Sequence, residues 1–181
     1  MHFLRLLPLA AAVSAIDFYF HKGWNCDGAS MRCNGINPGV CCNTGGNTEW
    51  FSAAWRGVPP EWSISCESHV FGGCNRRNQK TNSNGANWVC HGYNHIGTGN
   101  SGGVYFFNNK KRDEPQECTS TQKADTLRLA DGTEYHVADL EGDLLDELLL
   151  TQVEISMLES AVNGTAADAI SPKFQSLRIE Q

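Results

Sequence analysis

Glu67, His69, His91 and His95 are side chains of the types that move protons, and Arg76 and Arg77 lie between them in the chain. Together they could form an acid–base set. A carboxylate or imidazole would take a proton from a hydroxyl, a histidine would return one to a leaving oxygen, and a guanidinium would steady the charge between them. Spacing alone does not fix their mutual geometry, and so small a group in such a stretch is close to what chance supplies. No Gly-x-Ser-x-Gly elbow and no His-Glu-x-x-His helix accompanies them, so hydrolases of those two types are not supported.

The other chemistry-bearing residues are the eight cysteines, Cys26, Cys33, Cys41, Cys42, Cys66, Cys74, Cys90 and Cys118. The chain starts Met1-His2-Phe3-Leu4-Arg5 and runs apolar from Leu6 to Val13 before Ser14-Ala15. A positive start, a short apolar core and small residues are the parts of a secretory signal peptide with a cut after Ala15. The apolar run is too short to span a bilayer, and no transmembrane segment is expected. In an oxidising compartment an even number of cysteines reads as four disulfides. Paired Cys-x-x-Cys or Cys-x-x-His knuckles are missing, so no metal site and no cofactor are expected. Adjacent Cys41 and Cys42 should take different, distant partners, because a bond between neighbours demands a strained peptide. Spacing does not say which partners.

Further stretches could carry contacts. Trp50, Phe51, Trp55 and Trp62 form the densest aromatic group, stiffened by Pro59-Pro60. It is a candidate glycan- or protein-contact surface, with core packing expected for at least two of the rings. Arg76-Arg77-Asn78-Gln79-Lys80, with Trp88, Tyr93 and Phe106, could be a basic patch with stacking rings, against the plainer reading of a polar loop between two cysteines. Lys110-Lys111-Arg112 has the form of a dibasic processing site, with the cut after Lys111-Arg112, against a solvated basic loop. If all eight cysteines pair, Cys118 must bridge back across that site, and cleavage would leave two chains joined by sulfur. Asn163-Gly164-Thr165 is an acceptor sequon for an N-glycan on Asn163.

The elements that must position these residues fall into two regions of opposite character. All eight cysteines, all five tryptophans and fifteen of the eighteen glycines lie between Ile16 and Cys118. Residues 1–118 carry a net charge of +2 and residues 119–181 a net charge of −8, which gives the −6 of the whole chain. A body that is barely positive disfavours nucleic acid as a partner. Ile16-Asp17-Phe18-Tyr19-Phe20 alternates as a half-buried strand. Trp88-Val89-Cys90 and Val104-Tyr105-Phe106-Phe107 are short strand-forming runs between Gly/Asn/Ser turns. Downstream, Asp131-Gly132 sits between arms in which Leu127, Leu129, Tyr135 and Val137 share a face, a hairpin signal. Asp139 can cap a helix from about Leu140 to Val162, and Phe174 to Ile179 could be a closing strand.

The expected fold is α+β. Residues 1–15 are a signal peptide, and residues 16–118 form a disulfide-stabilised β-rich domain. Residues 119–181 form an acidic, Cys-free α/β extension of hairpin, helix and strand.

The leader, the "WNC…CNGINPGVCC" opening, the Gly/Asn-rich aromatic loops, the Lys-Lys-Arg run and "LRLADGTEYHV" together resemble fungal small secreted cysteine-rich proteins. That loose class includes effectors and killer toxins. The cysteine order departs from that of hydrophobins, which carry two adjacent pairs. The resemblance implies an extracellular, non-catalytic monomer that binds a protein or glycan of a host, a competitor or a cell wall. Two other classes stand beside it. One is a hydrolase whose Glu/His/Arg set is similar to that of small secreted fungal ribonucleases; the other is a structural wall or surface protein.

Overall fold

Alternation decides the first strand. In β1 (Ile16–His21) the side chains of Ile16, Phe18 and Phe20 are buried, while Asp17 and Tyr19 are half-exposed. Branched and aromatic residues at every second position suit a pleated ribbon with one buried face. The computed structural model describes residues 15–45, 50–92, 99–108, 116–140, 143–149 and 172–180. Within them the chain forms two sheets.

The first sheet is built around β1, which pairs antiparallel with β2 (Ser30–Ile36) on one side and β4 (Ser52–Arg56) on the other. Beyond β4 lies β7 (Trp88–His91). Beyond β2 lie β10 (Thr126–Arg128) and β11 (Glu134–His136). The order is β11-β10-β2-β1-β4-β7. The second sheet runs β6 (Arg76–Asn82), β5 (Ile64–Val70), β8 (Gly102–Phe107), β3 (Val40–Asn43) and β9 (Ser120–Lys123). Its neighbours are antiparallel except β3 and β9, which run parallel.

The two sheets face each other, and four contacts fix the layering. Phe18 of β1 lies against Gly103 of β8. Cys33 of β2 is bonded to Cys42 of β3. Tyr105 Oη donates to the Ile36 carbonyl at 3.2 Å. His91 Nδ1 and Ser68 Oγ share a hydrogen bond at 2.9 Å. The architecture is a β-sandwich whose core holds Phe18, Phe20, Trp50, Trp55, Ile64 and Tyr105. The chain first passes from one sheet to the other through Asn37-Pro38-Gly39. There Gly39 has φ +79°, and its amide donates to the Tyr105 carbonyl at 2.9 Å.

This corrects the α+β expectation: the chain is β-rich with little helix. The hairpin around Asp131-Gly132 forms, and Leu127, Leu129, Tyr135 and Val137 are buried on one face. It does not found a separate α/β unit; β10 extends the first sheet by pairing with β2. Leu127 is thereby placed opposite Met31 and spends its apolar face in the common core. Of the helix expected from Leu140 to Val162, residues 143–149 are helical, and 150–162 lie outside the described residues. The expected closing strand is instead a 3-10 turn, Pro172–Leu177, with one isolated bridge between Tyr135 and Arg178. Proline at its first position presets a helical φ and offers no amide to a ladder. The polar run Arg76–Lys80, read as a loop, belongs to edge strand β6, where charged side chains keep an open edge from pairing further.

Candidate functional site

The expected acid–base set is divided by the pleat. Glu67 and His69 alternate along β5 on the outward face of the second sheet, whereas Ser68 between them points inward to His91. The Glu67 carboxylate is already held by Lys80 Nζ at 2.7 Å and by Arg77 Nη1 at 3.6 Å. The latter cation sits on β6 because His69 and Arg77 are paired in the ladder. Arg76 turns instead to the Phe71 ring, 5.3 Å from its centroid. His91 is 2 % exposed, and burial pushes its pKa down to about 4. Burial also lowers the pKa of His69. These imidazoles are neutral at ordinary pH, and His91 is sealed from any substrate. His95 lies outside the described residues, as do Tyr93, Lys110, Lys111, Arg112 and Asn163.

Six cysteines form three bonds, Cys26–Cys90, Cys33–Cys42 and Cys41–Cys74. Cys41 and Cys42 do take different partners, though Cys33 is only 9 residues from Cys42. The expected fourth bond does not form, because Cys66 and Cys118 are both thiols. The reason is again the pleat. Cys66 points into the core, its thiol pushed up to about 12 by burial. Cys118 lies with Glu67 and His69 along an outer cleft of about 320 Å3. The two sulfurs are on opposite faces of one sheet. Cys118 lies instead close to the Cys41–Cys74 bond, with the three sulfurs within 4.8 Å of one another. Two of them are spent on each other, so the trio is not a metal-ligand set.

Two rings of the aromatic group pack in the core, as expected for at least two of them. Trp50 and Trp55 are fully buried, Trp55 packing on Phe18 at 4.8 Å and on His91 at 4.8 Å. Trp62 is half-buried, edge-on to Phe107 at 4.8 Å. The expected contact surface of Trp50, Trp55 and Trp62 is therefore not formed by its first two members. Indoles this large are worth more inside a thin sandwich than on it. The basic cluster likewise does not meet Trp88, which belongs to the other sheet.

The exposed rings lie elsewhere. Trp24 is 57 % exposed and Trp88 is 48 % exposed. The outward face of the first sheet carries a row of rings and charges that crosses it from edge to edge. Glu134 on β11 accepts from Arg32 Nη2 at 3.3 Å, and Arg32 Nη1 donates to Tyr19 Oη at 3.1 Å. Arg56 on β4 sits 5.1 Å from the Tyr19 ring centroid and 5.9 Å from that of Trp88. Arg56, Gly57, Asn87 and Trp88 line a cleft of about 390 Å3. Beside it, the turn carrying Trp24 is clamped to the sheet. Cys26 is bonded to Cys90, its amide donates to Ser52 Oγ at 2.9 Å, and Arg56 Nη2 donates to its carbonyl at 3.1 Å. No local motif signals this row, because the ladder alone brings Arg56 opposite Trp88 and Arg32 opposite Tyr19.

Residues 17–125, more than half of the chain, match one family model, described as the ARB_05566_N N-terminal domain. No curated protein and no solved structure matches. The matched stretch covers β1 to β9 and ends before the hairpin of β10 and β11. Among the described residues no helix is long and apolar enough to cross a membrane.

Proposed function

The chain belongs to the ARB_05566_N N-terminal domain family, and from that premise we propose that it is a secreted, non-catalytic binding protein whose open six-stranded face takes a surface saccharide. The source would be a host, a competitor or a cell wall, as for the fungal cysteine-rich secreted class that the sequence resembles. The observation that carries this reading is the Arg56–Trp88 pair, a half-exposed indole beside a guanidinium at the mouth of a shallow cleft.

An indole face suits the C–H face of a pyranose, while guanidinium and amide groups fit the fixed directions of its hydroxyls. Asn87 supplies the amide. Gly57, with nothing within 4 Å of where a Cβ would lie, leaves the floor open. The Cys26–Cys90 bond and the charge row hold these groups in place before a ligand arrives, which lowers the ordering cost of binding. Three disulfides support export to an oxidising compartment. A ribonuclease-like reading has less support, since the carboxylate is already paired with Lys80 and His91 is sealed.

The test is retention of the purified protein on insoluble chitin, β-glucan, mannan and cellulose, with Trp88→Ala and Arg56→Ala as variants. One polysaccharide should retain the parent, and Trp88→Ala should weaken retention by about tenfold or more, the loss typical of an anchoring aromatic. Failure of all four to retain it, or equal retention of both variants, overturns the assignment.

A further inference from the structure

On the far side of the sandwich, the geometry points to an internal thiol–disulfide exchange site in which the Cys118 thiol attacks the Cys41–Cys74 bond. Three facts converge there. The sulfurs of Cys41, Cys74 and Cys118 lie within 4.8 Å of one another. Cys118 is exposed and unbonded. It cannot be consumed by the remaining thiol, because Cys66 lies on the opposite face of the sheet. A free thiol held beside a disulfide meets the main requirement for exchange, which is access to a sulfur along with a leaving sulfur that can accept the charge.

The step is isoelectronic. The Cys118 thiolate forms a new bond to Cys41 Sγ, the Cys41–Cys74 bond breaks, and Cys74 leaves as a thiolate that takes up the proton Cys118 gave to solvent. No external oxidant or reductant enters. The leaving sulfur is assigned from burial: Cys41 is 3 % exposed on β3, whereas Cys74 is partly exposed, so water can solvate a thiolate only at Cys74. The backbone favours the same direction. Cys74 closes the turn between β5 and β6, in which Phe71, Gly72 and Gly73 have φ of +65°, +81° and +55°. Gly72 and Gly73 take these angles freely, but Phe71 in the left-handed region is strained and must be held there. Gly73 presses its carbonyl onto Gly102 of β8, and Ser101 Oγ accepts from the Gly72 amide at 2.9 Å. Release of Cys74 would loosen this turn and the exposed Phe71 at its tip, whereas Cys41 would stay in its strand.

The charged and titratable neighbours set the tempo. Glu67, His69 and Glu117 line the cleft, and Arg77 and Lys80 reach it from β6 through Glu67. Desolvation and the Glu67 carboxylate push the Cys118 thiol up. The thiolate is the nucleophile, so acid stops the reaction and mild base starts it.

The experiment uses the secreted full chain, collected into acid, and then incubated at about pH 9 without added thiol, a pH near the ordinary thiol pKa. Samples are acid-quenched over time and alkylated under denaturing acid conditions. They are then digested without reduction and mapped by mass spectrometry. At the start Cys118 and Cys66 should carry label and the Cys41–Cys74 peptide should be intact. With time a Cys41–Cys118 peptide should grow together with labelled Cys74, and both should be missing from Cys118→Ser, whose Cys41–Cys74 bond persists. Exposed Cys118 tolerates serine, so this variant folds as the parent does. Three results would overturn the inference: fully labelled Cys118 with no new linkage, Cys118 found bonded to Cys66, or Cys118 found only in bonds between chains. None of these outcomes depends on whether a saccharide binds the other face.

Discussion

The ring of Phe18 occupies the space that a side chain on Gly103 would need. A Cβ built on Gly103 would lie 2.1 Å from Phe18 Cζ, well inside contact distance. Phe18 is itself fully buried against Phe20 at 4.7 Å and Trp55 at 4.8 Å, so it has nowhere to move. One glycine on β8 thus sets how closely the two sheets approach.

Gly103→Ala should therefore destabilise the fold by about 1–3 kcal/mol through overpacking. Chemical denaturation read by tryptophan emission would measure it. Gly103→Ala combined with Phe18→Leu should recover part of the loss relative to the sum of the single changes, since the two residues share one space. Strict additivity would show that the contact does not set the spacing.

The Cys26–Cys90 bond joins positions 64 residues apart. Closing so long a loop in the unfolded chain is worth about 4 kcal/mol on the chain-entropy model. Cys26→Ala with Cys90→Ala should cost about that much in denaturant unfolding. Amide exchange should rise first in residues 22–29, because the turn they form loses its clamp. A midpoint unchanged from the parent would mean that Arg56 and Ser52 hold the turn unaided.

Much of the sandwich was legible residue by residue, and little of its assembly was. Ile16 to Phe20, Trp88 to Cys90 and Val104 to Phe107 declared themselves as strands because one face of each is buried, which writes a pattern into the sequence. The Asp131-Gly132 hairpin did so through its turn. β6 was hidden because an edge strand with seven polar residues has no apolar face to show. The fourth disulfide was over-counted for a related reason: parity of cysteines says nothing about which face of a strand each one occupies. Cys66 and Glu67 are neighbours in sequence and yet lie on opposite sides of a sheet. The ring-and-charge row was invisible because its members meet only across ladders between distant strands.

The five tryptophans should divide into classes that a quencher can separate. Trp24 and Trp88 are exposed, Trp62 is half-buried, and Trp50 and Trp55 are sealed. Trp24→Phe with Trp88→Phe should remove most of the emission that iodide can quench, with little change in unfolding midpoint, since surface substitutions away from special features change stability little. A saccharide that occupies the proposed face should protect Trp88 in the parent. If the double variant is quenched as strongly as the parent, the indoles of Trp50 and Trp55 are open to solvent rather than sealed in the core.

Acid should unfold this protein earlier than its carboxylates alone would. Burial holds the pKa of His21 and His91 down from the ordinary 6.5 to about 4, for His21 with help from the Arg56 guanidinium. Neither side chain can be charged without cost, since His21 lies beneath the clamped turn and His91 between Ser68 and Trp55. The unfolded chain binds protons at these sites below about pH 6.5 and the folded chain only near pH 4, so in that window protonation favours unfolding. The stabilisation is fully present above pH 6.5, is lost progressively as pH falls toward 4, and changes no further below the folded value. Each site could contribute up to roughly 3 kcal/mol at an unperturbed unfolded pKa. Denaturant midpoints measured from pH 7.5 to 4 should stay level down to about pH 6.5 and fall steadily from there toward 4. His91→Gln keeps the hydrogen bond to Ser68 within reach without a titrating ring, and it should flatten part of the slope. A midpoint flat between pH 6.5 and 4.5 in the parent would place both imidazoles in contact with water.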